Sequence, residues 1–340
     1  MTSRRVSPDT ELSLIKRIQR WTSRSSQPEP RLILPIGDDA AAIRGRKDSL
    51  FLVSTDALVE GIHFNLRYFS PEDLGWKAVA VNLSDIAAMG GTPLYFTTSI
   101  AVPRTRNSGW IRKVYQGMLQ LASKFQVHLI GGDTCASPQG VFLDVTILGE
   151  VKPWEMLTRR GARPGDILFV TGDLGGSAAG LELLKRHSRL ARRYPEFIHR
   201  HLRPAPRSHI GRFLASRRLA SSLIDISDGL STDLHHLCEQ SRVGAVTDAD
   251  KIPMAKTSGK LCALLSRTAL DYALNGGEDY ELLFTVPPKL KSKIPKGFQG
   301  IAIHEIGWIT DEAGQCYLLD HGRRRKLLAR GFDHFAAPHR

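Results

Sequence analysis

The sequence lacks any pair of cysteines close enough to chelate a metal. Its four, Cys135, Cys238, Cys262 and Cys316, are far apart and form no CxxC. That excludes a zinc ribbon and a disulfide scaffold, and buried, reduced thiols are expected. No apolar run reaches the about 20 residues that span a bilayer. The start, MTSRRVSPDTELSLIKRIQRW, has no continuous apolar core of a secretory signal, so a cytoplasmic protein is the expectation. A GxxxxGK[ST] loop, an HExxH pair and a GxSxG elbow are all missing, which sets aside Walker-type nucleotide sites, zincins and α/β-hydrolases. Neither an internal repeat nor a low-complexity segment is seen. Aromatics are scarce, at 7%, and are seldom interleaved with basic residues. The net charge of +13 is concentrated in runs such as 185–207 and 321–330. Those runs read as solvated basic helix faces and not as a nucleic-acid footprint; a phosphorylated substrate is a second use for the charge.

What is present is an ordinary globular composition, 42% hydrophobic and 24% charged over 340 residues, enough for about two domains. Residues 11–23 read as a short amphipathic helix, LFLVST as a strand running into a polar loop, and SPEDLGWKAVAVNLSDIAAMGG as a helix capped by Ser70. YFTTSIAVP, VHLIGGDT (strand and turn) and VFLDVTILGEV supply further strands around the helix NSGWIRKVYQGMLQLASKFQ. Alternating strands and helices predict one sheet in the first half. The second half opens with the strand DILFVTG, a glycine loop and a helix, and continues with LIDISDGLSTDLHHLCEQ and NGGEDYELLFTV. The expected division is an N-terminal helix and linker over 1–30, a first domain over 31–152 and a second over 153–340.

The acids carry the chemistry. Asp85 falls in the apolar helix on one face with Ala78, Val81, Asn82, Ala88 and Met89. A lone carboxylate there costs several kcal/mol, about 2–7 for an unpaired polar group and more for an ion, so something must compensate it. Other acids stand at strand ends or turns beside glycine or small residues: Asp38, Asp39, Asp56, Glu60, Asp133, Asp225, Asp228, Glu278 and Asp279. Asp beside Gly is a common turn former, but six such motifs together suggest hard oxygen ligands for Mg²⁺ around phosphates. DISDG lacks the spacing and terminal Glu of an EF-hand. GDLGGSAAG follows a strand and opens a helix, so it is either an anion cradle or a tight crossing. His63, in a loop among acids, suits substrate contact or packing, whereas His235 and His236 suit structural roles.

PIGDDAA, STDALVEGIHF, AVNLSDIAAMGGTP, LIGGDT, LTRRGARPGD, VTGDLGGSAAGL, HLRPAPR, IDISDGLSTDLHHL, GGEDYELLFTV and GFDHF resemble, in order and over about residues 11–336, the thiamine-monophosphate kinase family of the aminoimidazole ribonucleotide synthetase-like ATP-binding superfamily. A selenophosphate synthetase would carry a reactive cysteine early, and no cysteine precedes Cys135. The resemblance implies an α/β (α+β) two-domain fold, with an N-terminal mixed sheet forming a barrel across a dimer and a C-terminal α/β domain. It implies in-line phosphorylation of thiamine monophosphate by ATP with several Mg²⁺, the last step to thiamine diphosphate, in a homodimer without membrane or nucleic-acid partners. Carried over, Asp39, Ser54, Thr55, Asp56, Asp85, Asp133, Asp225 and Asp228 hold magnesium. Tyr115, Gly132, Asp133, Arg159 and Ser227 contact ATP, and His63, Glu278 and Phe332 contact thiamine monophosphate. No residue is assigned as general base, because the acceptor phosphate is already ionised. The rival readings are an amidine-forming ATP-dependent cyclase of the same superfamily and a basic nucleic-acid-binding protein.

Overall fold

The computed structural model describes residues 11–25, 29–255, 261 and 264–335; Cys262 lies outside them. The expected N-terminal helix is α1 (Glu11–Ser25). The first half then runs β1 (Leu32–Leu34), β2 (Ala41–Arg44), β3 (Leu50–Val59), α2 (Pro71–Ala88), β4 (Thr92–Pro103), α3 (Ser108–Phe125), β5 (His128–Ser137) and β6 (Phe142–Val151). The strands form one six-stranded mixed sheet in the order β1-β2-β3-β6-β4-β5, with β4 and β5 its parallel pair. As expected, Ser70 caps α2, accepting the Asp73 backbone N–H at 3.1 Å.

The barrel implied by the resemblance is not there: the sheet is open, with β1 and β5 as its edges. β5 pairs only with β4 and is exposed along nearly all its length, and β1 has three residues and an irregular register. Neither edge meets the other, so no strand among the described residues closes the sheet. The exposure also corrects one thiol expectation, since Cys135 on β5 is exposed while Cys238 and Cys316 are buried. Two strands are longer than their patterns suggest. β3 continues through Asp56 to Val59 because β6 pairs with it throughout. β5 carries GGD within the strand, where Gly132 opposes Thr98.

The second half contains β7 (Ile167–Thr171), α4 (Gly176–Arg186), α5 (Ser188–Ala191), α6 (Pro195–Leu202), α7 (Ser208–Ser216), β8 (Ser222–Ile226), α8 (Leu230–Ser241), β9 (Gly244–Asp248), α9 (Ala269–Asn275), β10 (Glu281–Val286), β11 (Gly297–Phe298), β12 (Ile301–Thr310), β13 (Cys316–Asp320) and β14 (Arg323–Lys326). Its eight-stranded sheet, ordered β14-β13-β9-β12-β7-β10-β8 with β11 beside β12, is open too.

α2 joins the halves. Fourteen of its residues are buried, on every face, as a helix apolar all round requires. One side lies in the first core with the sheet and α3; Ala87 and Ala88 pack with α7 and β10 of the second half. The α2–α3 crossing is close because it is built on glycine: a Cβ on Gly75 would come 1.9 Å from the Val114 carbonyl oxygen, and one on Gly117 1.9 Å from that of Glu72. The basic run is partly neutralised within the fold. Arg186 pairs with Glu182 at 3.6 Å, Arg200 with Asp173 at 3.4 Å, Arg203 with Asp73, and Arg207 with Glu281. No helix among the described residues is long and apolar enough to cross a membrane.

Candidate active site

Three separate elements deliver carboxylates to one point. The loop before β2 brings Asp39, α2 brings Asp85 and β8 brings Asp225, each with an oxygen within 4.8 Å of the others. Like charges at about 4 Å repel by roughly 4 kcal/mol at a partly screened dielectric. The chain compensates little of this. The Ser54 hydroxyl on β3 donates to Asp85 at 2.5 Å, and Ser84 on α2 donates to Asp225 at 2.6 Å. The Arg159 guanidinium meets Asp39 at 2.6 Å. Asp39 Oδ2 is buried with no partner among the described residues, and so is Arg159 Nε. Burial and the neighbouring carboxylates push Asp85 well above the ordinary carboxyl range and Asp225 up to about 8. Asp56 on β3 is raised to about 6 by burial, then by Asp144 and Asp39. Asp38 rises to about 7 for the same kind of reason, burial first and then Asp39.

Asp228 belongs to a second group, with Asp233 and His236 of α8. Asp233 accepts the backbone N–H groups of Asp228 at 3.2 Å and Gly229 at 3.0 Å, fixing the turn that carries Asp228. Burial raises Asp228 to about 7.

The three residues assigned to the acceptor substrate are brought together by others that the motifs did not single out. Lys77, fully buried in α2, pairs with Glu278 at 2.5 Å and donates to the His63 carbonyl at 3.1 Å. His201 faces the other oxygen of Glu278 at 3.1 Å. Burial opposes the charge on Glu278, but Lys77 and His201 overcome it and hold this carboxyl below the usual range. Glu278 sits at φ +67, a left-handed conformation that costs a non-glycine residue energy. Its N–H donates to the Ser227 carbonyl at 2.7 Å, which places Ser227 between the acids and the acceptor side. His63 rests against His334 with ring centroids 4.8 Å apart, and Phe332 meets the same ring edge-on at 4.7 Å. The Phe332 N–H donates to the Asp228 carbonyl at 3.0 Å. Burial, then the neighbouring His334, lowers His63 to about 4, so its ring is neutral at physiological pH.

The remaining candidates lie on β3, β5 and α3. Thr55 donates to Asp144 at 3.0 Å. Gly132 and Asp133 lie on the exposed edge strand β5; a Cβ at Gly132 would come 2.0 Å from the Thr98 carbonyl oxygen, so neighbouring β4 alone demands that glycine. Tyr115 packs on α3 against the first core. The cradle of GDLGGSAAG is filled by the chain's own anion: Asp279 accepts the N–H of Gly175 at 2.6 Å and of Ser177 at 3.2 Å. It is the tight crossing, not a free anion site. Of the residues missed, Lys77 was legible as a lysine inside the apolar run WKAVAV. His201 and Asp233 stand inside the quoted motifs HLRPAPR and IDISDGLSTDLHHL but were not singled out there, because the groups they meet are set by packing.

Two open sheets joined by one buried helix, with acids converging between them, define the class. Residues 37–151 match the family model described as AIR synthase related protein, N-terminal domain, and residues 163–317 match that of the C-terminal domain. Within that class the chain belongs to the thiamine-monophosphate kinase family. It is 40% identical over 324 residues to the thiamine-monophosphate kinase of Buchnera aphidicola subsp. Acyrthosiphon pisum, covering 94% of this chain and 97% of that one. Against the thiamine-monophosphate kinase of Escherichia coli (strain K12) it is 39% identical over 326 residues, 94% and 98% of the two chains. A structure of AaThiL complexed with AMPPCP and TMP superposes with a TM-score of 0.83 at 32% identity, over 98% of this chain and 100% of that one.

Proposed function

We infer that the protein transfers the γ-phosphoryl group of ATP to thiamine monophosphate, giving thiamine diphosphate and ADP. The observation that carries the reading is the convergence of Asp39, Asp85 and Asp225 from three elements, in a chain of this family. The donor set fits a hard dication: it is all oxygen, crowded with acids, and leaves Asp39 Oδ2 buried and unpartnered. Asp39, Asp85 and Asp225 would hold Mg²⁺, with Ser54, Thr55, Asp56, Asp133 and Asp228 as further ligands. When bound, such ions neutralise the repulsion between the two phosphates.

The chain's own residues supply position and charge. Arg159 keeps an unmet Nε donor for a phosphate oxygen of ATP, and Tyr115, Gly132, Asp133 and Ser227 complete the nucleotide's contacts. Glu278, held ionised, suits the positive thiazolium ring of the acceptor, and His63 and Phe332 offer flat apolar surface to its rings. The acceptor phosphate oxygen is ionised before transfer, so alignment and charge neutralisation carry the in-line step without a covalent intermediate.

The chain divides into an N-terminal helix and linker over 1–30, a nucleotide and metal domain over 31–152 and a second domain over 153–340. Exposed Phe51, Tyr95, Ile130 and Phe142 of the first sheet, 39–59% accessible, support a homodimer, and use of ATP suits a cytoplasmic location. Incubation with ATP, Mg²⁺ and thiamine monophosphate tests the function. Thiamine diphosphate formed mole for mole with ADP is expected; ADP release without it would overturn the assignment.

A further inference from the structure

α1 belongs to neither sheet, yet polar contacts tie it to three separate parts of the molecule. At its first turn the Glu11 N–H donates to Asp333 Oδ1 at 3.3 Å, and the Glu11 carboxylate accepts the His334 N–H at 3.5 Å. One turn further on, Lys16 pairs with Glu239 of α8 at 2.5 Å. Next, Gln19 Nε2 donates to the Ile36 carbonyl at 2.7 Å. Ile36 immediately precedes Gly37, Asp38 and Asp39. Gly37 lies at φ +133, and a Cβ there would come 2.5 Å from Gln19 Nε2. The positive φ of Gly37, which a side chain would strain, shapes the turn that leads from Ile36, whose carbonyl Gln19 reaches, to Asp39.

The tie points surround the acids. Glu239 lies on the helix that carries Asp233 and His236, and Ile36 leads into Asp38 and Asp39. Asp333 and His334 continue from Phe332, whose N–H is fixed on Asp228, and the His334 ring faces His63 with Nε2 atoms 3.3 Å apart. Glu11 is near enough for its charge to help raise both Asp56 of the first half and Asp228 of the second.

We propose that α1 is a strap across the mouth of the site and that Glu11 is a positioning residue for the acceptor. The Glu11 backbone N–H holds Asp333 and its carboxylate accepts the His334 N–H; through that carboxylate it sets the wall of His63, His334 and Phe332 against which thiamine monophosphate lies. The proposal rests on the function inferred above and adds to it the residue that fixes the acceptor wall. Glu11 is not among the residues assigned to ATP, so its loss acts mainly on acceptor binding.

The test uses the full chain with Glu11→Ala and Glu11→Gln. In Glu11→Ala the KM for thiamine monophosphate rises about tenfold while the KM for ATP and the melting temperature stay near wild type. Glu11→Gln keeps an acceptor oxygen on the same stem and restores most of the lost affinity. Without substrates, hydrogen exchange over residues 331–335 is faster in Glu11→Ala than in the wild type. An unchanged KM for thiamine monophosphate overturns the proposal. So does a parallel rise in both KM values with a lowered melting temperature, or failure of Glu11→Gln to rescue. A wild-type chain that makes no thiamine diphosphate defeats the proposed function instead. The exchange comparison then decides the strap alone, and unchanged exchange overturns it.

Discussion

At the scale of single residues, two buried charges in α2 meet opposite fates. Lys77 is matched by Glu278, whereas Asp85 receives one hydroxyl from Ser54 and otherwise faces like charge. Removing one partner of a buried pair costs about 3–5 kcal/mol. Lys77→Met is therefore expected to lower stability by that order in denaturant titration, with part of the loss recovered in the double variant with Glu278→Gln. The pair also gives a pH signature. Glu278 has its folded pKa depressed, so its contribution is present above the unfolded value and is lost as pH falls below about 4. Asp85→Asn relieves repulsion instead. The metal-free variant is expected to melt at or above the wild-type temperature while its kinase turnover falls at least about 100-fold. Near-normal turnover at saturating Mg²⁺ would remove Asp85 from the ligand set. Asp85 was legible as an acid out of place in an apolar helix; its three-way meeting with Asp39 and Asp225 was not, because they stand 46 or more positions away in the chain.

At the scale of elements, the α2–α3 crossing shows packing overriding propensity. Helix propensity alone favours alanine over glycine by about 1 kcal/mol. Gly117→Ala is nevertheless expected to destabilise, because its Cβ would lie 1.9 Å from the Glu72 carbonyl oxygen, backbone that cannot yield. A lowered midpoint in urea with an unchanged slope checks this. The existence of α2 and α3 and the cap of α2 were readable: Ser70 accepts the expected first-turn N–H, and Asn107 does the same for α3. Strand extent was not. β3 and β5 run past the points where their apolar patterns stop because partner strands offer ladder hydrogen bonds there. Nor did the glycine loop before α4 reveal that Asp279, about a hundred positions on, would fill it.

At the scale of the whole molecule, the acids store a cost that protonation or a bound cation removes. Asp56, Asp38, Asp228 and Asp225 have folded pKa values raised to about 6, 7, 7 and 8, against about 3.9 when unfolded. Between about pH 4 and 8 the folded metal-free chain thus binds more protons than the unfolded one, and stability falls as pH rises. The slope is at most about 1.4 kcal/mol per pH unit for each such group. Calorimetry in chelator is expected to show a lower melting temperature at pH 8 than at pH 6, and Mg²⁺ should raise it more at pH 8, since binding displaces protons. A melting temperature that rises with pH in chelator would contradict this. The sequence by itself determined α1 to α4, the main strands of the first half, the acidic motifs and, through their order, the family, because these are local patterns of spacing and residue type. Only the tertiary structure decided that both sheets stay open, that Asp279 fills the cradle, that Lys77 and His201 hold Glu278, and which carboxylates meet. Those outcomes depend on backbone edges and side chains far apart in the chain, whose approach is set by packing across α2.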